Sequence, residues 1–152
     1  MYYKIEIDPA CEEPHVIIKT PYMDERTQRL AEGIRGLCET VFYGYRNDEI
    51  VMLRQEDLLR IYSQQQKVFA QTAQGVYLLH MRLYEAETML DPRIFLRISG
   101  SEIVNSKRIE KLDISITGTI GVFLAGGIKT FASRRYVTKI KQFFGLRREE
   151  VR

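Results

Sequence analysis

A mainly β fold with helices at its margins, preceded by a small β-β-α module, is what this 152-residue sequence predicts. Short apolar or alternating segments recur at close spacing from about Thr40 onward, as antiparallel strands do. Turn formers punctuate them: Arg46-Asn47-Asp48, Ala73-Gln74-Gly75 and Ala125-Gly126-Gly127. Sustained helical spacing of apolar residues occurs near the N-terminus and after Ser133.

In chain order, Tyr3, Ile5 and Ile7 alternate with Lys4 and Glu6, the pattern of a half-buried strand, and Asp8-Pro9 breaks it. HVIIK (15–19) reads as a second strand. A helix then opens at Thr20-Pro21 or at Asp24, with Leu30, Ile34, Leu37, Cys38 and Val41 on one face. Residues 1–40 therefore form a β-β-α extension, too small to hold much core alone. Residues 41–148 form the second domain. Its strands are 41–45, 49–53, 57–62, 68–72, 76–81, 94–98, 108–116, 118–124 and 128–132, with a short helix over 82–90 stopped by Asp91-Pro92. The glycine turn at 125–127 makes the last strand pair a hairpin. Ser133 caps a final helix, RRYVTKIKQFFG, ended by Gly145.

Composition narrows the function. With 45% hydrophobic and 28% charged residues the chain is in the ordinary globular range. It has no apolar run long enough to span a bilayer and no basic-then-apolar leader, so a cytoplasmic protein is expected. Cys11 and Cys38 make no CxxC and read as two reduced thiols. Residues 1–92 carry ten Lys/Arg against fifteen Asp/Glu, a balance of −5, and residues 93–152 carry thirteen against five, +8. That asymmetry suits a nucleic acid or an anionic membrane, or is a solvated basic face. Catalysis has little support. His15 and His80 sit in apolar strand contexts with no nucleophile or acid nearby in sequence, and no nucleophile elbow, zinc-protease helix or Cys/His metal spacing occurs. Gly118, Gly121, Gly126 and Gly127 lack the Lys-Ser/Thr of a phosphate loop and read as turns. No enzyme activity, cofactor, metal or small-molecule substrate is expected.

Three polar interruptions are more informative. They are 63–67, 99–108 and 133–135, each directly after a strand and rich in Gln, Ser, Asn, Lys or Arg. These side chains reach base edges and phosphate oxygens. One such loop is an ordinary exposed turn; three on one chain, two of them in its basic part, point to nucleic acid. Ser133 at a helix N-cap would place free backbone N–H groups beside Arg134, where a phosphate can sit.

The two segments FLRISGSEIVNSKR (95–108) and KTFASRRYV (129–137) resemble the LytTR DNA-binding domain family. The shared pattern is a strand ending in Phe-x-Arg, a short polar loop with a serine, Val-Asn, and later Ser-Arg-Arg-aromatic before the last helix. Phe95, Arg97, Ser101, Val104, Asn105, Ser133, Arg134, Arg135 and Tyr136 fall in that register, and the likeness covers about residues 42–146. It implies an elongated antiparallel β domain that binds double-stranded promoter DNA with strand-end loops in successive major grooves. The resemblance assigns DNA contact to Gln65, Gln66, Lys67, Ser99, Gly100, Ser101, Arg134 and Arg135, while Arg97 and Asn105 frame the second loop. Ser133 and Asn105 join the candidate set, and Lys107 and Arg108 enter on charge as phosphate contacts. Family members usually have a larger polar pair where this chain has Ser99-Gly100, so that loop would meet phosphate through hydroxyls and backbone N–H groups. Residues 1–40 are too short for a receiver domain, which suggests the stand-alone type of member. Such members are often encoded beside a small membrane protein that modulates them. A homodimer on repeated half-sites is expected; the apolar helix face of the β-β-α extension is suited either to pack inward or to meet its partner across a two-fold axis. The alternative is a β-rich protein- or RNA-interaction module whose basic segment 134–148 meets an acidic partner.

Overall fold

A computed structural model of the chain describes residues 1–146. It divides into two units, Met1–Cys38 and the part from Glu39 onward. In the first, one helix, α1 (Glu25–Cys38), follows Asp24, whose Oδ1 accepts from the Thr27 N–H at 2.7 Å. Of the two expected helix starts, Asp24 is the one used, an N-cap satisfying an orphan donor of the first turn. Glu25 and Arg29 pair one turn apart at 2.6 Å. The two strands expected at 3–7 and 15–19 do not form, and Ile7 is 91% exposed. A lone strand pair is marginal in water without a packing surface, and this unit buries no residue of α1 to supply one.

Among its described residues the second unit carries ten strands. They are β1 (Val41–Arg46), β2 (Glu49–Arg54), β3 (Leu58–Gln64), β4 (Lys67–Thr72), β5 (Gly75–Leu79), β6 (Phe95–Ser99), β7 (Glu102–Asn105), β8 (Ile109–Asp113), β9 (Ile120–Leu124) and β10 (Ile128–Ala132). Helix α2 (Leu83–Met89) joins β5 to β6, and α3 (Arg134–Phe143) closes the described chain. Residues 147–148 of the expected domain and its basic segment lie outside the described residues. Seven strands form one sheet in the order β2-β1-β5-β4-β3-β7-β6, and three form a second, β10-β9-β8. Every recorded pairing is antiparallel.

Strand alternation builds two cores. One face of the large sheet contributes Phe42, Leu53, Ile61, Ala70, Leu79 and Ile103, covered by Leu83 and Ala86 of α2. The other face of β6 and β7 contributes Leu96, Ile98 and Val104, which meet Ile120, Val122 and Leu124 of the small sheet and Ile140 of α3. Strand β7 is thus covered on both faces and all four of its residues are buried. This corrects the reading of 99–108 as one polar break. Only Gly100-Ser101 is turn; Glu102–Asn105 is a central strand, and Ser106–Arg108 is a single 3₁₀ turn. Glu102 could be buried because Arg60 Nη1 and Thr130 Oγ1 both donate to its carboxylate, at 2.9 and 2.5 Å. A buried carboxylate without such donors would be costly.

Candidate nucleic-acid interface

Two hairpins end side by side. The β3–β4 turn is Gln65-Gln66, closed by the Gln64–Lys67 pair. Both glutamines have left-handed backbone, φ 50° and 63°, in a two-residue turn normally filled by Asn-Gly or Gly-Gly. In the neighbouring hairpin Ser99 pairs with Glu102 across the Gly100-Ser101 turn. Register brings the turns together: Tyr62 faces Glu102, and the Ser63 N–H donates to the Ser101 carbonyl at 2.8 Å.

Arg97 clamps the second turn from within the sheet. Its Nε donates to the Ser99 carbonyl and its Nη2 to the Gly100 carbonyl, each at 2.7 Å, while Nη1 pairs with Glu87 of α2. Ser99 Oγ and Ser101 Oγ lie 3.3 Å apart, and the Ser101 N–H also donates to Ser99 Oγ. Gly100 is exposed, and a Cβ added there would meet nothing within 4 Å. The turn is held rigidly by its backbone and leaves its outer side open.

The third group arrives from the small sheet. The Ser133 N–H donates to the Ile98 carbonyl at 2.9 Å, which anchors the start of α3 one residue from Ser99. Ser133 has the extended backbone of an N-cap, but its hydroxyl makes no cap hydrogen bond. The expected cap is thus one of backbone geometry only, on an exposed serine. Arg134 lies across Gly118, whose φ of +83° and lack of a side chain make room for it; a Cβ there would come within 3.2 Å of Arg134 Nε. Arg135 stacks on Tyr136, its Cζ 5.5 Å from the ring centroid. Arg134, Arg135, Gln65, Gln66 and Lys67 are all exposed.

Of the sequence-predicted residues, Gln65, Gln66, Lys67, Ser99, Gly100, Ser101, Ser133, Arg134 and Arg135 therefore meet at one end of the fold. Three do not. Asn105 is 2% exposed; its Nδ2 donates to the Leu58 carbonyl and its Oδ1 accepts from the Lys107 N–H. It fastens β7 to β3 and cannot face a ligand. Lys107 and Arg108 follow the far end of β7, about 13 Å of strand from the Gly100-Ser101 turn at ~3.3 Å per residue. There Arg108 Nη2 donates to the Glu56 carbonyl.

Sequence reasoning missed Arg60, Glu102 and Thr130, which tie β3, β7 and β10 together beneath the turns. It also missed an exposed pair of lysines: Lys111 and Lys129 lie opposite each other across β9, with Nζ atoms 4.5 and 5.0 Å from the Phe123 ring centroid. Both depend on contacts between strands remote in sequence. Asp113, two residues beyond Lys111 at the end of β8, has its carboxyl held below the ordinary value by hydrogen bonding to Ser115 and by the nearby Lys111 and Lys129.

These features define a class: an all-antiparallel β scaffold that presents rigid polar and basic strand turns at one end. Comparison with known proteins gives the family. Residues 48–145 match the model of the LytTr DNA-binding domain, and the chain belongs to that family. Relatives in Staphylococcus aureus strains NCTC 8325 and COL, each named an uncharacterized HTH-type transcriptional regulator, are 34% identical over 131 residues, covering 86% of this chain and 88% of theirs. Among solved structures, the LytTr DNA-binding domain of a methyl-accepting/DNA response regulator from Bacillus cereus superposes with a TM-score of 0.68 at 18% identity, covering 70% of this chain and 98% of that one. The helix-turn-helix wording in the relatives' names has no counterpart here: among the described residues no two helices follow one another in the chain. Nor is any helix among them long and apolar enough to cross a membrane.

Proposed function

We propose that this protein is a cytoplasmic transcriptional regulator that binds duplex DNA sequence-specifically through the end of the fold where its three polar turns meet. The observation that carries the reading is that convergence: Gln65–Lys67, Ser99–Ser101 and Ser133–Arg135 come from three different strand ends, and interstrand hydrogen bonds set them beside one another. The chemistry is divided. Arg135 and the two glutamines have the donors and acceptors that discriminate base edges in a major groove. The Ser99 and Ser101 hydroxyls, the open Gly100 backbone, Ser133, Lys67 and Arg134 suit phosphate oxygens, which set orientation without reading sequence. Lys107 and Arg108, a strand length away, add phosphate contacts further along the duplex.

Fluorescence-anisotropy titration against a selected site and against random duplex tests the assignment. Arg135→Ala is expected to lower affinity for the site by about 1–3 kcal/mol and to shrink the preference over random duplex. Lys107→Ala is expected to weaken both alike and flatten the slope of log affinity against log salt by about one unit. Unchanged discrimination by the Arg135 variant would remove it from base reading. Tighter binding to single-stranded RNA than to any duplex would overturn the proposal.

A further inference from the structure

Resting on the site proposed above, we propose that the buried Glu102 carboxylate and the Thr130 hydroxyl bonded to it are positioning groups for base discrimination. They set the start of α3 against the two hairpin turns, and neither touches DNA.

The three groups of the site belong to two separate sheets. Gln65–Lys67 and Ser99–Ser101 end strands of the seven-stranded sheet, whereas Ser133–Arg135 follows β10 of the three-stranded one. Among the described residues no strand ladder joins the two sheets. Their contact is mostly aliphatic: Leu96, Ile98 and Val104 meet Ile120, Val122 and Leu124. Interchangeable aliphatic side chains hold two sheets together but specify their alignment weakly. A displacement by one residue step, about 3.3 Å, would take Arg135 out of register with the two glutamines on the base edges of a single site.

Two polar positions break that apolar pattern. Along β10, Thr130 shares its side of the strand with Ile128 and Ala132, and along β7 Glu102 shares its side with Val104, all three apolar residues being part of this core. Thr130 Oγ1 donates to one oxygen of the Glu102 carboxylate at 2.5 Å, and Arg60 Nη1 to the other at 2.9 Å. Arg60 is itself held: its Nε donates to Gln71 Oε1 at 2.7 Å, and its Cζ lies 4.3 Å from the Tyr62 ring centroid. Glu102 is directly opposite Ser99 in one neighbouring strand and Tyr62 in the other. One carboxylate thereby connects β3, β7 and β10, the strands that carry the three groups.

A buried ion pair adds little stability over well-packed apolar side chains, so its use here is the single alignment it selects. A charge-assisted hydrogen bond is directional where aliphatic contact is not. The Ser133 N–H bond to the Ile98 carbonyl lies three residues along β10 from Thr130 and completes the docking of α3. Arg60 also neutralises the carboxylate, so the link adds no net negative charge beneath a surface that must attract phosphate.

Thr130→Val in the full chain tests this, because it removes one hydroxyl and keeps the side chain's shape. Amide hydrogen exchange at Ser133 reads the docking without DNA, and anisotropy titration reads discrimination. The variant is expected to exchange at Ser133 at least about tenfold faster. It is also expected to lose about tenfold in affinity for the selected site while binding random duplex as wild type does. Thr130→Ser, which keeps the hydroxyl, should retain both wild-type values. In a double-mutant cycle with Arg135→Ala the two losses for the selected site are expected to overlap rather than multiply, which a general loss of stability would not produce. Wild-type protection at Ser133 in Thr130→Val would overturn the inference. So would equal losses on selected and random duplex, or discrimination kept by Thr130→Val and lost by Arg135→Ala. Faster exchange at Ser133 with discrimination kept by both variants would instead overturn the assignment of these turns to base reading while upholding the Glu102 linkage.

Discussion

Replacing Gln66 by glycine removes a side chain while preserving the turn that presents it. Gln65 and Gln66 both occupy the left-handed region, φ 50° and 63°. For a residue with a Cβ that conformation costs about 1–2 kcal/mol. Glycine adopts it freely but gains unfolded-state freedom that offsets about 0.5–1 kcal/mol. Gln66→Gly is therefore expected to stabilise the fold by roughly 0.5–1 kcal/mol, a rise in melting temperature of roughly 2–6 °C for a domain of this size. If Gln66 reads a base edge, the same variant loses about 1–3 kcal/mol of affinity for its site while binding random duplex as before. Differential scanning calorimetry and anisotropy titration measure the two halves. A chain that gains stability and loses specific binding shows that a strained backbone is retained for contact. Unchanged specific affinity would make Gln66 a turn filler and remove the main support for base reading by this hairpin. A lowered melting temperature would refute the strain argument itself.

Gly100→Arg is expected to fold as wild type, because a Cβ there meets nothing within 4 Å, and to bind all duplexes more tightly with a steeper salt dependence; a salt slope equal to wild type would show that the turn does not face the phosphates. Asn105→Ala strands the buried Leu58 carbonyl and the Lys107 N–H, so urea unfolding should show a loss of about 2–4 kcal/mol at unchanged m-value; a loss of binding with full stability would return Asn105 to the interface. Hydrogen bonds to Thr27 hold the Asp24 carboxyl below 3.8. Such a lowered group contributes stability present above its unfolded value and lost as pH falls through the folded one. Helix content from α1, followed by far-UV circular dichroism, should therefore fall below about pH 4, and Asp24→Ala should abolish that step; a step that survives the substitution belongs to another carboxylate.

Local patterns carried much of the fold. The alternation in 41–53, the turn at 125–127 and the helical spacing after Ser133 each appear where residues a few positions apart decide the outcome. The same logic failed at 3–7 and 15–19, where the pattern was strand-like but α1 of the same unit buries no residue to back a strand. It failed again at Glu102–Asn105. A segment with an acid and an amide at its ends reads as loop, and only Arg60, Thr130 and Leu58, remote in sequence, make its burial affordable.

For the candidate site, residue chemistry singled out the polar interruptions 63–67, 99–108 and 133–135, whose Gln, Ser, Asn, Lys and Arg side chains suit bases and phosphates, and the family resemblance narrowed the first two to Gln65–Lys67 and Ser99–Ser101. What it could not decide was arrangement. Whether three turns share an end or scatter depends on strand order, and strand order follows from pairings across forty residues or more, such as Tyr62 with Glu102. Those pairings brought the three groups together, buried Asn105 and sent Lys107 and Arg108 to the other end of β7. The kind of residue was thus legible from side chains, whereas which of the candidate residues share one end of the sheets was decided only when the sheets assembled, because burial and register are properties of the whole fold.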